Sequence, residues 1–240
     1  MIINVFRRML DFIGFSPFKL PLAEVSTITA ISPSVKIIEL QGDFKQLNFS
    51  SGSYLSLTLN YIQTRKYTVS RLDKDKGTLD LIVYLHRNSG TGQHFMNKIK
   101  LGDTLSMNSL HANSNYLKLT ADTFVFFGDE TSLGLAYSLY KKWVEKRCEF
   151  LFLFELDEEN KSVPAALGFE QVLVFSKKKT FRNERLISQL DPIISPQWKD
   201  AVFLLTGNAK SIQIFRKVIK DKTTSKVYTR GYWVEGIEGL

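Results

Sequence analysis

The chain has 240 residues, of which 44% are hydrophobic and 23% charged, and its formal net charge is +8. Such a composition belongs to a globular protein long enough for two ordinary domains, and it excludes a disordered or collagen-like chain. A single cysteine, Cys148, excludes an internal disulfide framework and a cysteine-based metal cluster, and fits a reducing compartment.

The first fifteen residues, "MIINVFRRMLDFIGF", have an apolar run broken by Arg7, Arg8 and Asp11, with no small-residue cleavage site after it. They read as a short amphipathic helix packed on the protein and not as a secretory signal. No other stretch reaches transmembrane length. A cytoplasmic location and a monomer are the expectations. Next come six runs rich in β-branched and aromatic residues: "AEVSTITAIS", "VKIIEL", "SYLSLTL", "RKYTVSRL", "TLDLIVYLH" and "DTLSMNSL". Turn signals such as "SPS", "QGD", "DKDKG" and "LGD" separate them, which predicts a six-stranded antiparallel barrel.

The pattern changes near residue 120, which predicts two domains, 1–119 and 120–240. "TFVFFGD" suits a buried parallel strand, and "ETSLGLAYSLYKKWVEK" follows with helical periodicity. "EFLFLFEL", "FEQVLVFS", a helical "NERLISQLD", "DAVFLLTG" and the helix "NAKSIQIFRKVIKD" continue the alternation, predicting a parallel α/β layer. The basic charge is uneven: residues 1–120 carry 14 Lys and Arg against 8 Asp and Glu. No RNP, zinc-finger or helix-turn-helix pattern accompanies it, and the densest basic run is only Lys177–Lys179, so nucleic acid is not the expected partner.

Two stretches carry chemistry. "RKYTVSRLD" (65–73) reads as a strand bringing Arg65, Tyr67 and Thr68 to one face, with Lys66 and Val69 turned away. An arginine suits a pyrophosphate and a tyrosine suits a planar ring, although an ordinary charged edge strand reads the same way. "GTGQ" (90–93) precedes the helix-like "QHFMNKI", so backbone N–H groups and a helix N-terminus converge where an anion binds well. In the second half, "FGDETSLG" joins a strand to a helix at the carboxyl end of a parallel strand, where ligands of open α/β sheets bind. Thr131 there could equally be a helix N-cap, and Trp233 of "GYW" a core aromatic. No catalytic Ser–His–Asp or zinc constellation is visible, and His86, His94 and His111 lack metal-ligand spacing, so neither catalytic side chains nor a metal site is assigned.

Taken in order, "RKYTVSRLD", "LDLIVYLH", "GDTL", "FGDETSLG", "TGNAKSIQIFRKVI" and "GYWVEG" resemble siderophore-interacting proteins, the flavin-dependent ferric-siderophore reductases within the ferredoxin-reductase-like superfamily. The resemblance covers about residues 22–236. It implies FAD held by Arg65, Tyr67, Thr68 and Val69, with Val83, His86 and the loop Gly90, Thr91, Gly92 and Gln93 on the ribityl–pyrophosphate side. It also places Thr131 and Trp233 near the flavin or the nicotinamide of NADH or NADPH. The implied activity is release of iron from a ferric siderophore by reduction of Fe(III) to Fe(II). A flavin reductase, a ferredoxin-linked reductase and a non-catalytic siderophore-binding flavoprotein are the alternatives. The family's basic substrate positions fall near Tyr54, Leu110 and Tyr228, none of them basic, which leaves Lys66, Arg71, His111 and Arg230 as candidates. The family often has Gly-Glu where this chain has Gly207-Asn208. Glu155, Asp157, Glu158 and Glu159 cluster after "FLFLF", where carboxylates accept hydrogen bonds from adenosine ribose hydroxyls and favour NADH. Lys177–Lys179 are the cations that could reverse that preference.

Overall fold

The structure, a computed structural model, describes residues 22–59, 64–86, 91–107, 110–111, 121–177 and 180–236. The amphipathic segment read at residues 1–15 lies outside them. Strands β1 (Leu22–Ala30), β2 (Val35–Gln41), β3 (Tyr54–Thr58), β4 (Thr64–Asp73), β5 (Thr78–Tyr84) and β6 (Thr104–Ser106) form one antiparallel sheet. Its order is β3-β4-β5-β2-β1-β6. Bridges from Leu57 to Met107 and from Tyr54 to His111 bring the two edges together, so the sheet nearly closes into the expected barrel. Period-2 alternation turns Ile38, Leu40, Leu55, Leu57, Val69, Leu79, Leu81 and Val83 inward onto one core. A register shift between Val69 and Arg71 lets Ser70 bury its hydroxyl against the Asp80 carbonyl at 2.8 Å. Helix α1 (Thr91–Lys98) follows β5 and buries Met96 against the barrel.

The second sheet contains β7 (Thr123–Gly128), β8 (Glu149–Leu156), β9 (Val172–Ser176), β10 (Val202–Asn208) and β11 (Val227–Trp233), all parallel, in the order β11-β10-β7-β8-β9. Strand β11 was legible only as the motif "GYW". Helices α2 (Leu133–Glu145), α3 (Val163–Ala166), α4 (Glu184–Ile187), α5 (Asp191–Ile194) and α6 (Ala209–Lys222) cover the sheet. The helix read over "NERLISQLD" is only the single turn of α4, capped by Asn183, whose side chain accepts from Leu186 N. The apolar runs of β7, β8 and β10 do not alternate in polarity because both faces are buried. Phe124, Phe126, Phe150, Phe152, Phe154 and Leu204 face α2, whereas Val125, Phe127, Leu153, Phe203 and Leu205 face α6.

Helix α2 also joins the two layers. Barrel residues Ile31, Val35, Ile82 and Tyr84 pack into its core cluster. A Cβ on Gly134 would lie 3.3 Å from the Thr68 carbonyl, so α2 rests directly on β4. Polar contacts reinforce the junction: the Ser51 hydroxyl donates to Ser138 O at 2.9 Å, and the Ser34 hydroxyl donates to Glu159 at 2.8 Å.

Candidate functional site

Three features of the barrel meet at one place. A Cβ on Gly92 would stand 3.2 Å from Arg65 Cγ and 3.6 Å from the Tyr67 hydroxyl, so the first turn of α1 lies directly against these side chains. The first turn of α1 carries no acidic residue, and Arg65 makes no ion pair among the described residues. Burial pushes the Tyr67 phenol up to about 12, against the opposing pull of the Arg65 guanidinium, so the hydroxyl is a neutral donor at physiological pH. Beside them, Gln93 Oε1 is buried and has no hydrogen-bond partner among the described residues. Three donors (a guanidinium, a phenol and a helix N-terminus) and one orphaned acceptor are a polar set that a dinucleotide with a pyrophosphate and hydroxyl groups would satisfy. The site therefore fits FAD. Gly90 lies outside the described residues.

Strand geometry corrects part of the expectation. Strict alternation puts Arg65 and Tyr67 on one face and Thr68 on the other, with Lys66. Lys66 Nζ lies 5.4 Å from the ring centroid of Tyr54, the register partner of Thr68, and Thr68 packs against Gly134. Val69 is fully buried in the barrel and gives its N–H to Ser53 O at 2.9 Å; Val83 is buried there too. Both are core residues: the same alternation keeps Val69 on the face of Arg65 and Tyr67, not opposite it as read from the sequence, and farther along the strand that face turns into the barrel core.

Three of the four candidate substrate residues converge. Tyr54 stacks on His111 at 5.3 Å between ring centroids, Lys66 approaches its ring, and the Arg230 guanidinium lies 5.5 Å from the same centroid. Tyr54 exchanges both backbone hydrogen bonds with His111, at 2.8 and 3.0 Å, which fixes the pair. Arg71 stands apart and is corrected: it pairs with Asp80 at 2.8 Å and Glu39 at 3.6 Å on the outer face of the barrel. The resemblance pointed to the neighbourhood of Tyr54 but not to its ring as the hub, because the closure that pairs residues 54 and 111 is tertiary.

On the α/β side, the switch point lies at β7, with β10 on one flank and β8 on the other. Asp129 accepts from Thr131 N at 2.9 Å, from the Thr131 hydroxyl, and from Trp233 Nε1 at 2.7 Å. Thr131 thus orients Asp129, and Asp129 is the cap. Gly207, at φ +98°, permits this: its Cβ would lie 2.6 Å from the Asp129 carboxylate carbon. Trp233 is only partly buried and lies edge-on to His86 at 6.5 Å, while His86 is edge-on to Tyr84 at 4.5 Å. Burial lowers the His86 pKa; Asp129 opposes this and Lys177 adds to it. The structure therefore brings His86, Thr131 and Trp233 to one junction.

The acidic cluster after β8 has internal partners. Glu155 is buried, accepting from Phe181 N at 3.2 Å and the Ser211 hydroxyl at 3.0 Å, and burial raises its pKa. Asp157 accepts from the Tyr84 hydroxyl at 3.0 Å, Glu158 pairs with Lys161 at 2.9 Å, and Glu159 holds Ser34. Lys177 pairs with Glu130 at 2.7 Å, and Lys178 and Lys179 lie outside the described residues. Among the described residues no His, Cys, Asp and Glu group could hold a metal ion, and no helix is long and apolar enough to cross a membrane.

Residues 22–116 match the family model of the oxidoreductase FAD-binding domain. A search of curated proteins by sequence finds no match. Among solved structures, the chain is similar to a siderophore-interacting protein from Acinetobacter baumannii (17% identity, 91% of this chain and 92% of that one, TM-score 0.71). It is also similar to the siderophore-interacting protein SipS from Aeromonas hydrophila (17% identity, 90% and 92%, TM-score 0.72). A ferredoxin–NADP+ reductase from Plasmodium falciparum aligns at 14% identity over 88% and 98% of the two chains, with TM-score 0.63. At these identities the structures establish the fold. Residues 22–116 are thus similar to an oxidoreductase FAD-binding domain, and the fold of the chain, a nearly closed antiparallel barrel followed by a parallel α/β layer, is shared with these solved structures.

Proposed function

We propose that this chain is an FAD-containing, NAD(P)H-dependent reductase whose acceptor is a ferric siderophore or a related anionic ferric chelate. The observation that carries the reading is the convergence of Arg65, Tyr67 and Gly92 within the segment that matches an FAD-binding domain. Arg65 and the N-terminus of α1 would hold the pyrophosphate by charge-assisted hydrogen bonds. Tyr67 offers ring area and a neutral hydroxyl, and Gln93 supplies the acceptor for a hydroxyl donor. When bound, FAD supplies the conversion of one two-electron hydride from NAD(P)H into two single electrons, enough for two Fe(III) centres. The chelate is received by Lys66, His111 and Arg230 around Tyr54, where two fixed cations and an aromatic face suit an anionic, ring-bearing ligand. Iron reduced to Fe(II) is held more weakly by hard oxygen ligands and is released.

Two measurements test this reading. The purified protein should be yellow, with flavin that bleaches under NADH or NADPH without oxygen and recovers on adding a ferric chelate. Arg65→Ala should weaken flavin retention by about 1.5–3 kcal/mol, the usual range for a hydrogen bond to a charged group. An apoprotein that cannot be reconstituted with FAD defeats the proposal, and recovery only with ferredoxin or free flavin reassigns the acceptor. Reoxidation by anionic chelates should be faster than by neutral ones and should slow as salt rises, because the cations steer at a distance. Equal rates and equal salt slopes would remove the Tyr54 cluster from the acceptor site.

A further inference from the structure

Where the barrel abuts the carboxyl ends of β7 and β8, one ammonium group stands among three carboxylates. Lys177, just after β9, sends its side chain back across the sheet edge to Glu130 Oε2 at 2.7 Å. Its Nζ lies 5.3 Å from the Tyr84 ring centroid and 5.0 Å from that of Trp233. These are the same two rings that flank His86. Tyr84 belongs to the barrel and Trp233 to the α/β sheet, so Lys177 sits on the seam between the layers.

We propose that Lys177 and Glu130 are opposed electrostatic controls on the reduction potential of the flavin, Lys177 raising it and Glu130 lowering it. The inference rests on the FAD reading above. The Glu130 side chain is 0% exposed and that of Lys177 is 17% exposed, so water screens neither charge well. Asp129 and Asp157 spend their carboxylates on neutral donors, the Trp233 indole and the Tyr84 hydroxyl. Among the described residues, Lys177 is therefore the cation that offsets this group of carboxylates. Burial pulls its pKa down, but Asp129, Glu130 and Asp157 outweigh burial and leave it raised, so the ammonium stays charged. Gly134, four residues after Glu130, lies against the Thr68 carbonyl, 3.3 Å from its added Cβ, so the pair borders the strand that carries Arg65 and Tyr67. Reduction adds electron density to a flavin held there, which a nearby cation favours and a nearby carboxylate opposes. Glu130 also accepts from Asp157 N at 2.7 Å and Asn160 Nδ2 at 3.1 Å, so it has partners that would hold it in place when Lys177 is replaced.

A merely structural ion pair makes a different prediction. Lys177→Gln and Glu130→Gln break the same contact, so distortion alone would move the potential in one direction for both. Electrostatic control moves it in opposite directions. The test is the flavin midpoint potential, read by anaerobic dye equilibration, for wild type, Lys177→Gln, Glu130→Gln, Lys177→Arg and the double glutamine variant. At fixed poise, Lys177→Gln should shift the reduced-to-oxidised ratio about tenfold toward oxidised, roughly 30 mV for a two-electron couple. Glu130→Gln should shift it toward reduced, Lys177→Arg should lie within about threefold of wild type, and the double variant should fall between the singles. Shifts of the same sign, or no shift with flavin still bound, would overturn the proposal. If Lys177→Gln fails to fold or loses flavin, Glu130→Gln decides alone, and a potential at or below wild type overturns it. A colourless wild type overturns the flavin reading and this inference with it, an outcome distinct from bound flavin with unmoved potentials.

Discussion

Replacing Gly207 with alanine tests the packing that organises the α/β side of the site. Gly207 has φ +98°, and an added Cβ would meet the Asp129 carboxylate carbon and Oδ2 at 2.6 Å, far inside contact distance. Asp129 is 1% exposed, so it cannot swing into solvent and must retreat within packed surroundings. Backbone strain for a side-chain-bearing residue at such a φ is on the order of 1–3 kcal/mol. Displacing Asp129 also forfeits its charged hydrogen bond from Trp233, worth about 1.5–3 kcal/mol. Together these give a destabilisation of roughly 2.5–6 kcal/mol. Gly168→Ala is the control: φ is +74° but nothing lies within 4 Å of its added Cβ, so only strain of about 1–2 kcal/mol is expected. Urea unfolding of both variants, followed by circular dichroism with the m-value checked against wild type, measures the difference. Freed of Asp129, the Trp233 indole should also shift its emission in the folded Gly207→Ala protein. A Gly207→Ala variant within about 1 kcal/mol of Gly168→Ala would refute the claim that Asp129 is confined by this glycine.

Phe152→Ala should cost about 3–5 kcal/mol in the same assay, because its fully buried ring touches those of Phe126, Tyr140, Trp143, Phe150, Phe154 and Phe169; a cost under about 1.5 kcal/mol would mean that this cluster closes over the void. The depressed pKa of His86 has a definite sign. With the folded value below the unfolded one of about 6.5, its contribution is fully present above that pH and is lost as pH falls through the folded value. His86→Phe should flatten this part of the profile, so parallel curves of urea midpoint against pH for the two proteins would contradict the assignment.

Element identity was legible in the sequence wherever one physical signal dominated. Period-2 alternation marked the six barrel strands, and unbroken apolar runs marked β7, β8 and β10, buried on both faces. Strand β11 escaped because Thr229, Arg230 and Gly231 interrupt the apolar residues of "VYTRGYW", and its place in the sheet comes from pairing with β10. The "NERLISQLD" helix shrank to α4 because its short apolar set is met by Phe181 and α6, not by periodicity of its own. Among site residues, Arg65, Tyr67 and the glycine loop could be read locally, since a strand and a following helix lie close in the chain. Thr68 went to the opposite face because successive side chains of a strand alternate, so Tyr67 and Thr68 cannot share one. Arg71 left the substrate set because register placed it against Asp80 and Glu39. Lys66, His111 and Arg230 converge on Tyr54, and Lys177, Glu130, Tyr84, His86 and Trp233 meet at the seam, through barrel closure and domain packing. Local sequence determined which strands and helices could form and which donors lay beside one another. Only the tertiary structure decided which distant charges share a space, because that depends on register and on the surfaces that two separately folded layers bury against each other.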